Sequence, residues 1–402
     1  MAERDLVIVG GGPAGIVTAL YAAHADPALA PRISVLEKER YPRDKYCAGA
    51  IGGRALRLLD AVGARPSVPF VAVHAVELRL PAGSVSLREP DAGIIVRRIE
   101  FDRALADEAR RRGIEVRDGT PVEAVSQGAD GARVRIAGGE TIDARAVVGA
   151  DGVAGVVRRT AGFARGRLRA QAVEVDTEGV TGDPPRDTIR FDLGPPGLTG
   201  YLWDFPSIVD GCPVVCRGAY RILDGAGGES ARAHLERHLG ARGLDVRDHR
   251  VKAFAEVGFE PGAPIAKEHV LLVGEAAGID IATGEGIAQA IQYGALAGPY
   301  LARALAAGDL AFSDWGRRVR ASVLGRQLRQ RLWFSERFYG SDRCTMEGLL
   351  AAAPAGLRIG VRQFAGKPLS GAGLAQTVAQ IVPYAARVGP SRALRLLRRA
   401  GS

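Results

Sequence analysis

Cysteine is scarce in this chain: four among 402 residues, at positions 47, 212, 216 and 344. One C-x3-C pair apart, they are widely scattered, so neither a disulfide framework nor a zinc pattern is present. The six histidines are also dispersed, and neither a metal site nor a Ser-His-Asp hydrolase is expected. Long apolar runs are missing. No stretch reaches the roughly 18 uninterrupted apolar residues needed to span a bilayer. The strand-like segment DLVIVG begins at Asp5 and leaves no room for a signal peptide, which predicts a soluble cytoplasmic protein. Internal repeats and low-complexity tracts are absent. With 47 % apolar and 25 % charged residues the chain is neither disordered nor fibrous.

Acidic residues are few at the C-terminal end. The net charge is +9, and the segment Arg317–Ser402 holds sixteen Lys and Arg against three Asp and Glu. No nucleic-acid motif with interleaved aromatics accompanies this excess, so nucleic acid is not an expected partner. Within 391–400, Arg392, Arg395 and Arg399 share one helical face with Arg398 beside them, while Leu394 and Leu397 lie together elsewhere. Such a helix either docks on the protein with its arginines in water or rests peripherally on an anionic membrane.

What the chain does contain is alternation of strand and helix signals. Leu6–Val9 and Ile33–Leu36 are short apolar runs, and Ala14–Ala23 and Ala50–Ala61 read as helices, which together make a βαβ unit. Val71–Leu80 alternates like a strand with one wet face, and Phe101–Arg112 reads as a charged helix. Residues 170–260 are strand-rich, His269–Val273 returns to a buried-strand pattern, Glu285–Ala306 is helical, and the chain after Ala311 is helical with breaks at Pro354, Gly366–Pro368 and Gly389–Pro390. The predicted fold is α/β: a discontinuous Rossmann-like nucleotide-binding domain (1–70, 101–165 and 263–310), an inserted antiparallel β-rich substrate domain (71–100 and 166–262), and a helical C-terminal region (311–402).

Three motifs carry the chemistry. Gly10-Gly11-Gly12-Pro13-Ala14-Gly15 is a G-x-G-x-x-G between strand and helix. Gly10 permits the tight turn, Gly12 lets the backbone approach a pyrophosphate, and Gly15 allows close helix–sheet contact. The helix N-terminus beyond it favours phosphate. Glu37, at the end of the second strand, stands where an acid accepts hydrogen bonds from an adenosine ribose. Asp151-Gly152 follows the strand Ala146–Gly149, and Gly274-Glu275 follows a buried strand before Thr283-Gly284-Glu285-Gly286-Ile287 opens a helix. That carboxylate suits a ribityl hydroxyl, and the glycine amides suit a pyrophosphate or a flavin carbonyl. In this order the three motifs point to FAD. No second G-x-G-x-x-G is present, so either NAD(P)H docks transiently as reductant or another carrier, such as an electron-donor protein, reduces the flavin.

The motif order resembles that of flavoproteins with the p-hydroxybenzoate hydroxylase fold, and two further segments resemble the geranylgeranyl reductase family. Pro42-Arg43-Asp44-Lys45-Tyr46-Cys47-Ala48-Gly49-Ala50 is similar to that family's P-x-x-K-x-C-G-G loop, with Ala48 in place of Gly. Tyr201-Leu-Trp203-Asp-Phe205-Pro206 is similar to its Y-x-W-x-F-P motif, and Arg98 with Phe101-Asp102 to its R-x-x-F-D. Glu275 replaces the usual Asp. The resemblance spans residues 1–310 and implies that Lys45, Cys47, Ala48, Ala50, Arg98, Val122, Gly286 and Ile287 face FAD alongside Gly10, Gly12, Ala14, Gly15, Glu37, Asp151, Gly274 and Glu275. It assigns Cys47, Tyr201 and Trp203 to catalysis. Each has a plainer reading: Cys47 as an inert buried thiol, Tyr201 and Trp203 as core aromatics on one strand face.

The activity implied is an FAD-dependent reduction of carbon–carbon double bonds in an apolar, isoprenoid-like or secondary-metabolite substrate. Hydride comes from N5 of reduced flavin, and the proton from Cys47 or water held near it. The alternative is an FAD-dependent monooxygenase, hydroxylating or epoxidising a small aromatic or polyketide-like molecule. A flavin sensor without turnover is the third class. Halogenases of the superfamily carry W-x-W-x-I-P, and Tyr201 and Phe205 depart from that pattern.

Overall fold

The computed structural model describes residues 3–388, apart from 82, 165, 224–227, 341 and 369–370. The basic stretch 391–402 and the break at Gly389–Pro390 lie outside the described residues.

Among the described residues, two eight-stranded sheets organise the fold. The first has a parallel centre in which Arg4–Val9 lies between Ile33–Leu36 and Thr141–Gly149, with Glu115–Arg117 and Val270–Leu272 outside them. Residues 6–9, 33–36, 146–149 and 270–272 are almost wholly apolar and buried (Leu6, Val7, Ile8, Val147 and Val148 are fully covered), because helices lie on the sheet. The hairpin Val122–Gly128/Gly131–Ile136 joins this sheet antiparallel at Thr141–Gly149.

The helices Pro13–Ala25 and Ile287–Ala307 cross at very close range. Gly294 and Gly298 make this approach feasible. A Cβ on Gly294 would stand 2.8 Å from the Val17 side chain, and one on Gly298 would collide with Tyr21. The contact brings the N-termini of both helices, and so both glycine loops, to one place.

The second sheet runs Lys252–Val257, Leu168–Thr177, Cys212–Ile222, Gly200–Val209, Thr188–Asp192, Phe70–Leu80, Gly83–Val96, Ala50–Gly52. It departs from the sequence reading in two ways. Thr188–Asp192 pairs parallel with Phe70–Leu80, so the sheet is not purely antiparallel; the chain leaves this sheet after Val96 and returns at Leu168, a long excursion of the kind a parallel pairing needs. Ala50–Gly52, read as the start of a helix in the nucleotide-binding part, is a strand paired with Gly93–Ile95, and the helix begins only at Gly53. Gly49 and Gly52 explain this: Gly49 has φ +83°, outside the helical region, and the carbonyl of Phe364 packs where a Cβ on Gly52 would stand.

One face of the second sheet is covered by a helix unread in the sequence, Ala231–Gly240, capped by Ser230, whose Oγ accepts from the Ala233 amide. Leu235 and Leu239 pack there against Val175, Leu202 and Ala219. His234 and His238 stand four apart on this helix. They form no metal pair: His238 Nε2 lies 2.8 Å from Asp204, which is also bound by Arg217 and Arg242. Burial penalises the Asp204 carboxylate, but His238, Arg242 and Arg217 outweigh it and hold its pKa far below the usual range. The opposite face carries Tyr201, Trp203 and Phe205 and is roofed by the C-terminal helices Val323–Phe338, Arg343–Ala352 and Pro354–Ala365. Pro354 starts a helix at its first position, where a missing N–H costs nothing. No described helix is long and apolar enough to cross a membrane.

The helix crossing makes a direct prediction. Gly298→Val inserts methyl groups where Tyr21 and Ala22 already sit, and overpacking of this kind costs about 1–3 kcal/mol. Chemical denaturation of the two proteins measures this, and an unchanged midpoint would show that the helices can part without penalty.

Candidate active site

A single cavity of about 1140 Å³ runs from the first sheet to the second. It exceeds the roughly 300–1,000 Å³ of ordinary small-molecule sites. One end is polar and is built at the C-terminal ends of the parallel strands. There Gly10 has φ +109°, and a Cβ on it would collide with the Ala150 carbonyl, so that turn admits only glycine. Gly15 faces the Gly10 carbonyl just as closely. Gly12 is different: it is extended, with φ −76°, and the nearest atoms to a Cβ there are guanidinium nitrogens of Arg43 and Arg98, at 3.8 and 4.0 Å. The Gly12 backbone therefore faces open cavity beneath two cations.

A buried charge lattice fixes those cations. Arg98 grips Asp102 with two bonds of 2.7 and 2.6 Å. Arg43 bridges Asp102 at 3.0 Å and Glu37 at 3.1 Å. Glu37 also accepts from the amides of Gly11 and Glu39, both at 3.0 Å, and Tyr41 donates to the Gly11 carbonyl. Although burial disfavours its charge, Asp102 holds the Arg98 guanidinium firmly protonated. Pairing of this kind offsets part of the cost of burying charge.

Asp151 accepts from the Val157 amide through Oδ2, while Oδ1 is buried without a partner. Burial lifts its pKa to about 6. Glu275 is lifted by burial too, with Lys45 3.9 Å away opposing the shift. Open cradle, flanking guanidiniums, an unpaired carboxylate oxygen and a second carboxylate are what a dinucleotide with a polyol chain requires, so the residues present fit FAD.

The other end is apolar. Tyr201 stacks on Tyr220 at 4.9 Å, and Phe191 meets Tyr201 and Phe205 edge-on at 5.2 Å. Trp203 lies flat over Gly218, whose missing side chain makes the room. Phe334, Phe338, Leu357 and Phe364 close the chamber from the C-terminal helices. Arg331 fastens this roof to the polar end, bonding Asp280 at 2.8 Å and pairing with Glu285.

Between the two ends stand Cys47, Glu256 and the Thr283–Gly286 loop. Cys47 Sγ accepts from the Gly49 amide at 3.4 Å, and burial pushes its thiol up, against the pull of Arg98. Glu256 accepts a 2.6 Å bond from Tyr220, and Tyr201 donates to the Thr283 carbonyl at 2.6 Å.

Of the residues singled out in the sequence, Gly10, Gly12, Ala14, Glu37, Lys45, Cys47, Ala48, Ala50, Arg98, Val122, Asp151, Tyr201, Trp203, Glu275, Gly286 and Ile287 line this cavity. Gly15 and Gly274 do not. They are packing glycines, Gly274 with φ +60° and the Ala14 methyl 2.6 Å from where its own would be. Sequence reasoning missed Arg43, Glu256 and Tyr220, and read the C-terminal region as helical without placing it over the site. Arg43 sat inside a quoted motif, and Glu256 shares a strand face with Phe254 in KAFAEV, an acid at an inward position.

A family model described as an FAD binding domain matches residues 3–189. The digeranylgeranylglycerophospholipid reductase of Methanothrix thermoacetophila is 30 % identical over 361 residues, 83 % of this chain and 87 % of that protein. Among solved structures, a geranylgeranyl bacteriochlorophyll reductase-like protein from Thermoplasma acidophilum covers 98 % of both chains with a TM-score of 0.75 at 22 % identity. Aklavinone-11 hydroxylase, in a ternary complex with FAD and aklavinone, shares the fold at a TM-score of 0.63 and 18 % identity, over 84 % of this chain and 69 % of its own. Cradle and fold thus define an FAD-dependent oxidoreductase. More narrowly, the chain belongs to the geranylgeranyl reductase family.

The two cradle glycines predict opposite failures. Gly12→Val has room and a permissive backbone, so the variant is expected to melt like the parent and to purify without FAD colour. Gly10→Val meets the Ala150 carbonyl in a conformation valine avoids, and is expected to lose folded protein as well. Flavin absorbance and thermal melting on both variants check this, and a Gly12→Val protein with full flavin content would refute the cradle.

Proposed function

We propose that this protein reduces carbon–carbon double bonds of an apolar, isoprenoid-like molecule. The observation that carries the reading is continuity: one cavity joins a dinucleotide cradle to a chamber walled by aromatics and roofed by apolar helices. The names of the curated relatives support the same substrate class. The Gly10–Gly12 loop, Glu37, Arg43, Arg98, Asp151, Glu275 and the Gly286 helix start would hold FAD. Bound FAD, once reduced, supplies a hydride equivalent. The protein's own contribution is orientation and dryness: Tyr201, Trp203 and Phe205 give a prenyl chain a flat apolar wall, and the roof keeps bulk water out. Cys47 stands where wall and cradle meet. An external two-electron donor, NAD(P)H or a reduced carrier protein, restores the reduced state.

The substrate reaches this chamber from a lipid surface in our reading. The helix Gly371–Val388 packs on Pro354–Ala365, whose Leu357, Val361 and Phe364 line the chamber. Its outer side exposes Leu374, Val378 and Val382, spaced four apart on one stripe. The basic excess of the C-terminal segment suits anionic headgroups.

Two measurements follow. Anaerobic incubation of photoreduced FAD-loaded protein with geranylgeraniol is expected to yield products heavier by two hydrogens per bond reduced. A product heavier by one oxygen, formed only in air, would instead make the protein a monooxygenase. For the surface, sedimentation with anionic vesicles is expected, weakening with salt and absent with neutral vesicles. Replacing Leu374, Val378 and Val382 by Ser should reduce it, and equal sedimentation of variant and parent would remove the stripe's role.

A further inference from the structure

We propose that Glu256 is the acid that protonates the substrate carbon, an inference that rests on the reductase reading above. Its carboxyl stands in the cavity wall at the junction between the polar cradle and the aromatic chamber, on a strand whose Phe254 faces the same way. Oε2 is occupied by the Tyr220 hydroxyl. Oε1 is turned toward the Thr283–Gly286 loop, 3.5 Å from where a Cβ on Gly284 would stand, and glycine at that position leaves the approach clear. An acid proton on Oε1 therefore points at the passage between the two halves of the site.

The surroundings keep that proton in place at neutral pH. The groups facing Glu256 are Glu275 and Asp280, whose negative charges oppose its ionisation, Lys45, which favours it, and Tyr220, Tyr201 and Cys47. Burial is the largest effect, followed by Glu275, and together they push Glu256 up to about 8 despite the Tyr220 bond. A general acid works best with a pKa near the working pH. The rival donors are weaker acids. Burial pushes the Cys47 thiol upward, and Tyr201 is raised well above an ordinary phenol while its hydroxyl is committed to the Thr283 carbonyl.

The step balances simply. One alkene carbon receives a hydride equivalent from reduced flavin, and the π pair forms a new C–H bond at the neighbouring carbon with the Glu256 proton. The O–H pair stays on the carboxylate, and water reprotonates it between turnovers. The alkene gains two electrons, the flavin loses two, and the external donor replaces them.

The test uses full-length FAD-loaded protein, geranylgeraniol as probe, and Glu256→Gln with Glu256→Asp. Glutamine keeps the shape and still accepts from Tyr220 but carries no acidic proton. Reoxidation of reduced flavin by the probe is expected to slow by about 100-fold or more in Glu256→Gln, the range general acids supply. The parent rate should fall as pH rises through about 8, when the acid is charged. That dependence should vanish in Glu256→Gln and partly return in Glu256→Asp. Flavin content and melting should be equal in parent and Glu256→Gln. Independently of turnover, infrared difference spectra between parent and Glu256→Gln at pH 7 should show a protonated carboxyl band in the parent alone. If the parent reduces the probe and Glu256→Gln matches its rate and pH profile, or the infrared band is missing, the role of Glu256 falls while the reductase reading stands. If the parent itself reduces no prenyl alkene, the reductase reading fails and takes this proposal with it.

Discussion

Two helices touching backbone to backbone hold the site together. Pro13–Ala25 and Ile287–Ala307 come from opposite ends of the first sheet's sequence, and each begins at a glycine loop that lines the cavity. Their relative depth is set where Gly294 and Gly298 meet Val17 and Tyr21, a contact with no slack. From that point outward the geometry is inherited. The first helix fixes the loop beneath Arg43 and Arg98, and the second fixes Thr283–Gly286 beneath Tyr201, Tyr220 and Glu256. The parallel sheet alone would position each loop only with respect to its own strand.

Across the cavity the electrostatics change character within one side chain's reach. In the cradle, charges are paired: Arg43 bridges Glu37 and Asp102, and Asp102 also binds Arg98. At the junction, carboxylates outnumber cations, since Glu256, Glu275 and Asp280 gather around Lys45 and Arg331. Burial there shifts Glu256 and Glu275, which lack a close guanidinium, upward from the ordinary carboxyl range. Beyond them the wall is aromatic. Paired charges, a cluster of buried carboxyls and an aromatic wall thus occupy separate compartments of a single space.

How much of this was readable in the sequence follows from how local each feature is. The cradle was, because strand, glycine turn, helix and acid are neighbours along the chain and each has its own residue signature. The aromatic wall was readable in part, since Tyr201, Trp203 and Phe205 alternate on one strand. Ala50–Gly52 was misread because its pairing partners, Gly93–Ile95, lie forty residues away and its own apolar pattern is too short to exclude a helix. Helix Ala231–Gly240 was submerged in a strand-rich stretch. Glu256 escaped notice for a different reason: an acid between apolar residues acquires meaning only when Tyr220 and Gly284 are brought beside it from other strands and loops.

The roof and the floor of the chamber differ in how the chain supplies them. The floor and cradle are assembled from pieces scattered between Val9 and Ile287, so nearly every change there is felt by a partner far off in sequence. The lining residues of the roof all fall in one segment of the sequence, between Gln330 and Phe364, tied down through Arg331. Chamber length and contour can therefore be rewritten by substitutions or short insertions in a single segment while the redox machinery is left alone. That division lets one scaffold diversify toward new hydrophobic molecules without rediscovering how to hold its flavin.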